Sequence, residues 1–280
     1  MFRPFTLNLK GKLRCFERPQ IMGIVNVTPD SFFPGSRTMG KDNIANRVER
    51  MIGDGVDFID IGAYSSRPGA DDVSVEEEID RLGCGLEVIR RISADIPVSV
   101  DTFRAHVAKR AIVEMGADII NDISGGTLDD DMFSVVSDLD VPYILMHMRG
   151  TPATMQQHTD YADVVSDVLL DMSLKMRELR LIGVSDVIVD PGFGFSKTLE
   201  QNYELFKALD AFEDALGAPL LVGVSRKSMI TRALGIKAES ALNGATVLNT
   251  IALMRGASFL RVHDVREAAQ ARSLYELSTK

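Results

Sequence analysis

The run Pro97-Val98-Ser99-Val100-Asp101-Thr102 is followed by a longer segment closing on Met115-Gly116. Next comes a second run, Ile119-Ile120-Asn121-Asp122-Ile123. Each run is short, rich in β-branched residues and polar at its C-terminal tip, whereas the segment between them has the length of a helix and ends in glycine. Strand, helix and strand in this order make a parallel β-α-β unit.

The unit repeats along the chain. Further runs are Ile21–Val27, Phe58–Ala63, Tyr143–His147, Val187–Asp190, Pro219–Val224 and Phe259–Val262. Amphipathic segments separate them. In Ala162–Leu179 the residues Val165, Val168, Leu169, Met172, Met176 and Leu179 recur at helical spacing and form one apolar stripe suited to packing on a sheet. Ile182-Gly183 and Leu216-Gly217 mark further helix ends. About eight such units, with strands apolar on both faces, describe an α/β chain folded as a single (β/α)8 TIM barrel. An open doubly wound sheet is the alternative, but no G-x-G-x-x-G follows the first strand. No linker or charge tract interrupts the series. Residues 1–19 are expected to form a short N-terminal extension, adding a small β element across the barrel bottom, and residues 20–280 the barrel.

Composition limits the function. The chain has 280 residues, 45% hydrophobic and 25% charged, and a formal net charge of −9. Such an acidic protein is a poor general binder of nucleic acid or anionic membrane, so an anionic ligand requires a local cluster of cations. No apolar run reaches the roughly 18 residues of a membrane span, and Met1–Lys10 has no apolar signal core. Cys15 and Cys84 are far apart and outside any Cys/His ligand pattern. A cytoplasmic protein with reduced thiols is expected.

Nearly every run ends in groups that are costly to bury without purpose: Asn26, Asp60, Asp101, Asn121 with Asp122, His147, Asp190, Ser225 with Lys227, and Arg261 with His263. In a parallel barrel these tips form one rim, where such barrels do their chemistry. Any one of them alone would read as a turn or helix cap. Arg67, Lys227, Arg261 and His263 supply the cation cluster, and Arg261 and His263, two apart on a strand, point the same way. Guanidinium, imidazole and ammonium together suit a phosphate or diphosphate. No His-x-x-x-His or Cys/His set argues for zinc; a Mg²⁺ held by one or two oxygen ligands plus a diphosphate fits better. Asp101, Asn121 and Asp190 form a second group, acceptors and a carboxamide suited to a flat, donor-rich heterocycle.

Seven stretches, in order, resemble the signatures of the dihydropteroate synthase family. They are Met22-Gly23-Ile24-Val25-Asn26-Val27-Thr28-Pro29-Asp30-Ser31-Phe32, Ile59-Asp60-Ile61-Gly62-Ala63-Tyr64-Ser65-Ser66-Arg67-Pro68-Gly69-Ala70, Val98-Ser99-Val100-Asp101-Thr102, Ile120-Asn121-Asp122-Ile123-Ser124-Gly125-Gly126, Asp190-Pro191-Gly192-Phe193-Gly194-Phe195, Gly223-Val224-Ser225-Arg226-Lys227-Ser228 and Arg261-Val262-His263-Asp264-Val265. The resemblance implies a barrel that condenses 6-hydroxymethyl-7,8-dihydropterin diphosphate with 4-aminobenzoate. It implies pterin contacts from Asp101, Asn121, Asp190, Lys227 and Arg261, and diphosphate contacts from Asn26, Arg67, Arg261 and His263. It further implies Asn26 as the Mg²⁺ ligand and a 4-aminobenzoate pocket of Ser66, Arg67, Pro68, Phe195 and Ser225 with Lys227, the benzoate carboxylate lying near Ser225 at the start of a helix. Asp101, Lys227 and Arg261 become the catalytic group, sulfonamides the inhibitor class and a homodimer the usual assembly. A dissociative order follows, in which diphosphate leaves, a pterin cation forms and the aniline nitrogen attacks.

Two loops depart from the family pattern. Phe33-Pro34-Gly35-Ser36-Arg37 stands where Ser-Asp-Gly-Gly is usual, and Ala63-Tyr64-Ser65-Ser66-Arg67-Pro68 where Gly-Glu-Ser-Thr-Arg-Pro is usual. Three other readings compete: a pterin barrel moving a methyl group to a cobalamin protein, a Schiff-base aldolase using Lys227, and a pterin-binding module without catalysis.

Overall fold

The computed structural model describes residues 2–27, 37–64 and 73–279. Eight strands lie in one parallel sheet: β3 (Gln20–Asn26), β4 (Phe58–Gly62), β5 (Val98–Asp101), β6 (Ile119–Asp122), β7 (Tyr143–Met146), β8 (Val187–Asp190), β9 (Leu221–Val222) and β10 (Phe259–Val262). Their order is β8-β7-β6-β5-β4-β3-β10-β9, and a parallel bridge between Val189 and Leu220 brings the two outer strands together. The sheet is thus a barrel, as the repeat of strand and helix predicts.

Every strand is followed by helix. The outer layer comprises α1 (Arg37–Gly53), α2 (Val75–Ile92), α3 (Ala105–Met115), α4 (Met132–Leu139), α5 (Val164–Leu181), α6 (Leu199–Lys207), α7 (Leu209–Leu216), α8 (Ser228–Leu234), α9 (Leu242–Met254) and α10 (Val265–Thr279). Two units depart from the simple repeat, with a pair of helices after β8 and another after β9. The stripe on α5 packs inward as its spacing requires: Val168, Met172, Met176 and Leu179 are buried. Gly116 and Gly217 cap α3 and α7 in the left-handed conformation that glycine adopts without a Cβ penalty. Among the described residues no helix is long and apolar enough to cross a membrane.

The two-residue period of a strand sorts each side chain to one of two compartments. In β4, Ile59 and Ile61 join the core between sheet and helices, while Phe58 joins a separate cluster at the barrel floor. Asp60, of the same parity as Phe58, reaches Arg261 of β10 across the interior. In β5, Val98 and Val100 face the helices and Asp101, of the opposite parity, faces in, where it meets the same arginine. Parity also corrects one expectation at the rim. Asp122 follows Asn121 by one residue and so faces the helix layer, where it accepts from Tyr143 Oη (2.7 Å), from the Ser124 amide and hydroxyl (2.7 Å each) and from Gly126 N (2.7 Å). It organises the loop after β6 and takes no part in the mouth.

The floor is closed by a hairpin, β1 (Phe5–Leu9) and β2 (Lys12–Phe16), turning through Lys10 and Gly11 at φ 53° and 73°. Positive φ at both central residues matches the twist of a tight hairpin. Leu7 and Leu9 pack with Met22, Phe58, Ile119, Ile144, Ile188, Leu221 and Phe259, which lie toward the N-terminal ends of seven strands. Phe5 stacks on Phe16, and Phe16, Phe58 and Phe259 continue the aromatic cluster. The expected β element under the barrel is therefore present. Because floor and mouth are opposite ends of the barrel, they can be uncoupled: Leu7→Ala is expected to lower the unfolding free energy by about 2–5 kcal/mol in denaturant titrations while leaving ligand affinity at the mouth unchanged.

Candidate active site

The mouth is organised by Arg261. Its Nε donates to Asp60 Oδ2 at 2.7 Å and its Nη2 to Asp101 Oδ2 at 2.7 Å, with Nη2 also 2.6 Å from Asp60 Oδ2. Asp60 is fully buried. Asn121 Nδ2 lies 3.3 and 3.2 Å from the two Asp60 oxygens. Burial, the first cause, and the nearby carboxylates of Asp60, Glu78 and Asp122 push the Asp101 carboxyl up to about 7, against the pull of Arg261.

Asp190 closes the opposite side. Its Oδ1 accepts from Gly192 N at 2.8 Å, starting the glycine-aromatic loop. Burial raises its pKa, opposed chiefly by Lys227. Lys227 Nζ donates to the Phe193 carbonyl at 2.7 Å and stands 4.8 Å from the centroid of the Phe195 ring. Burial lowers this ammonium to about 8, while Asp190 pulls the other way. Phe195 packs against the apolar group of Ile123, Met146, Met148 and Met155, so one edge of the mouth is oily.

Ser225 and His263, assigned by the resemblance to different subsites, are directly joined. His263 N donates to Ser225 Oγ at 3.2 Å, and its Nδ1 also lies 3.2 Å from that hydroxyl. Ser225 precedes α8 by three residues, with Lys227 as the N-cap, so it stands just outside the helix start. His263 is not a resident cation: burial first, then Arg226, Arg261 and Arg47, lower its imidazole to about 4. Charge comes to this edge from Arg226, paired with Asp264 at 2.6 and 3.2 Å, and from Arg47, whose Nη2 and Nε donate to the Ile24 carbonyl at 2.7 and 3.1 Å. Asn26 ends β3 beside Gly62 with its side chain exposed at the rim. Ser66, Arg67 and Pro68, and the departing loop at 33–36, lie outside the described residues.

Sequence reasoning passed over Lys197. It is buried, and its Nζ donates to the carbonyls of Gly192 and Phe195 at 3.0 Å each and meets His147 Nδ1 at 3.1 Å. Burial lowers it to about 7, opposed by Asp190; His147 is lowered to about 2, by burial first and then by Lys197. The signal was available: Lys197 ends the same loop that carries Phe195, after a strand tip. Lys197 and Lys227 grip this loop from two sides through three carbonyls, fixing the Asp190 carboxylate and the Phe195 ring relative to each other.

Among the described residues no group of three or more His, Cys, Asp or Glu is placed to hold a metal ion. A carboxamide oxygen such as that of Asn26 fits a magnesium ion that takes its other ligands from water and a phosphate-bearing substrate.

The fold is that of an α/β-barrel enzyme, and its mouth sets carboxylates and a carboxamide beside cations. Residues 22–263 match the family described as pterin binding enzyme. The dihydropteroate synthase of Clostridium beijerinckii is 42% identical over 264 residues, covering 93% of this chain and 94% of that protein. The folate synthesis bifunctional protein of Arabidopsis thaliana is 41% identical over 274 residues, covering 92% of this chain, which spans 56% of that protein's length. Among solved structures, the Xanthomonas albilineans dihydropteroate synthase with 4-aminobenzoic acid superposes with a TM-score of 0.89 at 35% identity, covering 99% of this chain and 98% of that one. The chain belongs to the dihydropteroate synthase family of pterin-binding enzymes.

The loop around Gly192 gives a direct test of this geometry. Gly192 has φ 73°, and a Cβ there would come within 2.0 Å of the His147 carbonyl oxygen; Gly217 has φ 59° and nothing within 4 Å. Gly217→Ala is expected to cost about 1 kcal/mol from backbone conformation alone. Gly192→Ala must in addition displace the loop that Lys197 and Lys227 hold. Its larger loss in unfolding free energy, with weakened ligand binding, is read from paired denaturant and calorimetric titrations.

Proposed function

We propose that the chain catalyses dihydropteroate formation. The C–O bond between the pterin methylene and diphosphate breaks, a C–N bond to the 4-aminobenzoate nitrogen forms, and diphosphate and the aniline proton are released. The observation that carries this reading is the Arg261 guanidinium locked between Asp60 and Asp101 beside Asn121, facing Asp190 and Lys227. Acceptors and two cations converge on one mouth.

On this reading Asp101, Asn121 and Asp190 accept the pterin N–H groups, and Lys227 and Arg261 face its oxygen and ring-nitrogen acceptors. Carboxylates fixed in a water-poor interior stabilise positive charge that develops on the pterin as the leaving group departs, without having to reorient. Arg261, His263 and Arg67 face the diphosphate. His263, neutral without ligand, gains a proton more readily beside a dianion. Asn26 would hold Mg²⁺, which when bound supplies charge neutralisation to the leaving group. Phe195, Ser225, Ser66, Arg67, Pro68 and Lys227 line the 4-aminobenzoate pocket; Lys227 near the Phe195 ring supports that placement through a cation–π pair that orders both side chains. Sulfonamides are the inhibitors to expect. Residues 1–19 form the floor extension and residues 20–280 the catalytic barrel, in a cytoplasmic enzyme.

The test is diphosphate release with both substrates present: stoichiometric release with dihydropteroate supports the reading, and release that ignores 4-aminobenzoate overturns it. Asp101→Asn is expected to reduce kcat by about 10²-fold, the scale of losing one preorganised electrostatic contact. Asp101 accepts most strongly when ionised, and ligand N–H groups that bond the carboxylate lower its pKa. Pterin binding therefore releases a proton below about pH 7 and strengthens between pH 6 and 7.5, then weakens as Lys227 discharges above about 8. Calorimetry in buffers of different ionisation heat should show proton release at pH 6 that Asp101→Asn abolishes.

The assembly is proposed to be a homodimer through α8–α10. Leu242, Val247, Ile251 and Met254 on α9, with Leu274 and Leu277 on α10, leave an apolar surface exposed. Ile251→Glu should convert a dimeric sedimentation coefficient to a monomeric one, and an unchanged coefficient contradicts this face.

A further inference from the structure

Among the described residues, Asp60 is the inward-facing carboxylate of the mouth that the substrate contacts leave unassigned. It has no exposed surface. One side of it takes Arg261 Nε and Nη2; both of its oxygens lie near the amide nitrogen of Asn121, at 3.3 and 3.2 Å. Among the described residues none donates to Asn121 Oδ1, yet it is not among the buried, unpaired side-chain atoms, so it keeps accessible surface toward the mouth.

A carboxamide is ambivalent: rotated by half a turn it exchanges a double donor for an acceptor at nearly the same position. An ionised carboxylate is not ambivalent, because it only accepts. With Arg261 holding the charge of Asp60, rotation of the amide would set Asn121 Oδ1 against a carboxylate, two acceptors face to face in a buried site without a proton between them. Such an arrangement leaves both groups unsatisfied, the most costly outcome for buried polar atoms.

We propose that Asp60 is a positioning residue that sets ligand specificity: by taking the Asn121 amide nitrogen it forces Oδ1 into the mouth, so the site presents an acceptor there and selects a ligand N–H. This rests on the pterin reading of the mouth. Together with Asp101 and Asp190 it gives an acceptor-only inner wall, which rejects heterocycles that replace a donor by a lone pair. The same carboxylate orients Arg261, so acceptor wall and cation are set by one group.

The experiment compares binding by calorimetry of three matched ligands: a 7,8-dihydropterin, the oxidised pterin in which ring nitrogen N8 has lost its hydrogen, and the lumazine in which an oxygen replaces the 2-amino group. Wild-type protein is expected to prefer the dihydropterin over at least one analogue by tenfold or more. Asp60→Asn, nearly isosteric, frees the Asn121 amide to rotate, and that preference should collapse at least tenfold. Uniform weakening of all three ligands, with the preferences intact, is what a merely structural role predicts and overturns the proposal, as does a wild-type protein that binds all three alike. Wild-type protein that does not bind the dihydropterin at all overturns the pterin reading instead. The exchange D60N/N121D keeps the charge and places an acceptor-only group at position 121, with an amide at 60 to donate to it. It should restore the preference, and it decides the matter if Asp60→Asn fails to fold; an exchanged protein that binds without preference overturns the proposal.

Discussion

A guanidinium largely withdrawn from water needs anions close by, and Arg261, 17% exposed, has two of them. Asp60 and Asp101 come from neighbouring strands, and Arg261 comes from β10, with β3 lying between β10 and β4 in the sheet. Loss of either carboxylate would leave a buried charge short of its partner, which costs far more than the pair itself contributes. The cluster therefore fixes how the ends of these strands stand relative to one another. Everything else polar in the mouth is arranged around that requirement. Asn121 turns its amide nitrogen to Asp60, and Asp190 with two lysines, Lys227 and Lys197, offsets the two carboxylates around Arg261.

Much of this was legible in the sequence, because strand parity is carried by single residues. Arg261 lies on β10 and His263 just beyond its end, and the strands Val187–Asp190 and Phe259–Val262 have the bounds their β-branched runs suggest. Parity was also where a coarser rule misled. A polar residue at a strand tip need not face the mouth, and Asp122, one residue beyond Asn121, serves the helix layer. The alternation of Ile119, Ile120, Asn121 and Asp122 between inside and outside contains that information, whereas the mere position of the tip does not.

What sequence could not supply was which side chains are paired. Lys197 lacks the company of other cations in the chain, so only its place at the end of the Phe195 loop marked it; its role comes from three acceptors, two of them on a loop that doubles back through Gly192, Gly194 and Ser196 at positive φ. His263 illustrates the opposite case. Its residue type suggested a cation, but the imidazole lies among Arg226, Arg261 and Arg47, and burial beside like charge keeps it neutral. Both outcomes depend on contacts between segments far apart in the chain. The residue names were visible early; their charge states required the packing.

The net charge of −9 says little about the mouth, where three carboxylates, Asp60, Asp101 and Asp190, face three cations, Arg261, Lys227 and Lys197. Among the described residues these six groups cancel in formal charge, and Arg226 and Arg47 lie apart from them beside His263. On the proposed reading the two ends of the substrate are then recognised by different physics. The heterocycle meets rigid acceptors whose geometry is set before it arrives, which favours selectivity over adjustment. The diphosphate meets groups at the Ser225–His263 edge whose charge responds to it, since an imidazole depressed by surrounding arginines is released from that repulsion when an anion enters. Affinity for the anion is thereby coupled to proton uptake at His263, whereas recognition of the ring is coupled to proton loss at Asp101. The two transfers have opposite sign, so a site built this way binds its whole substrate with less dependence on pH than either half alone.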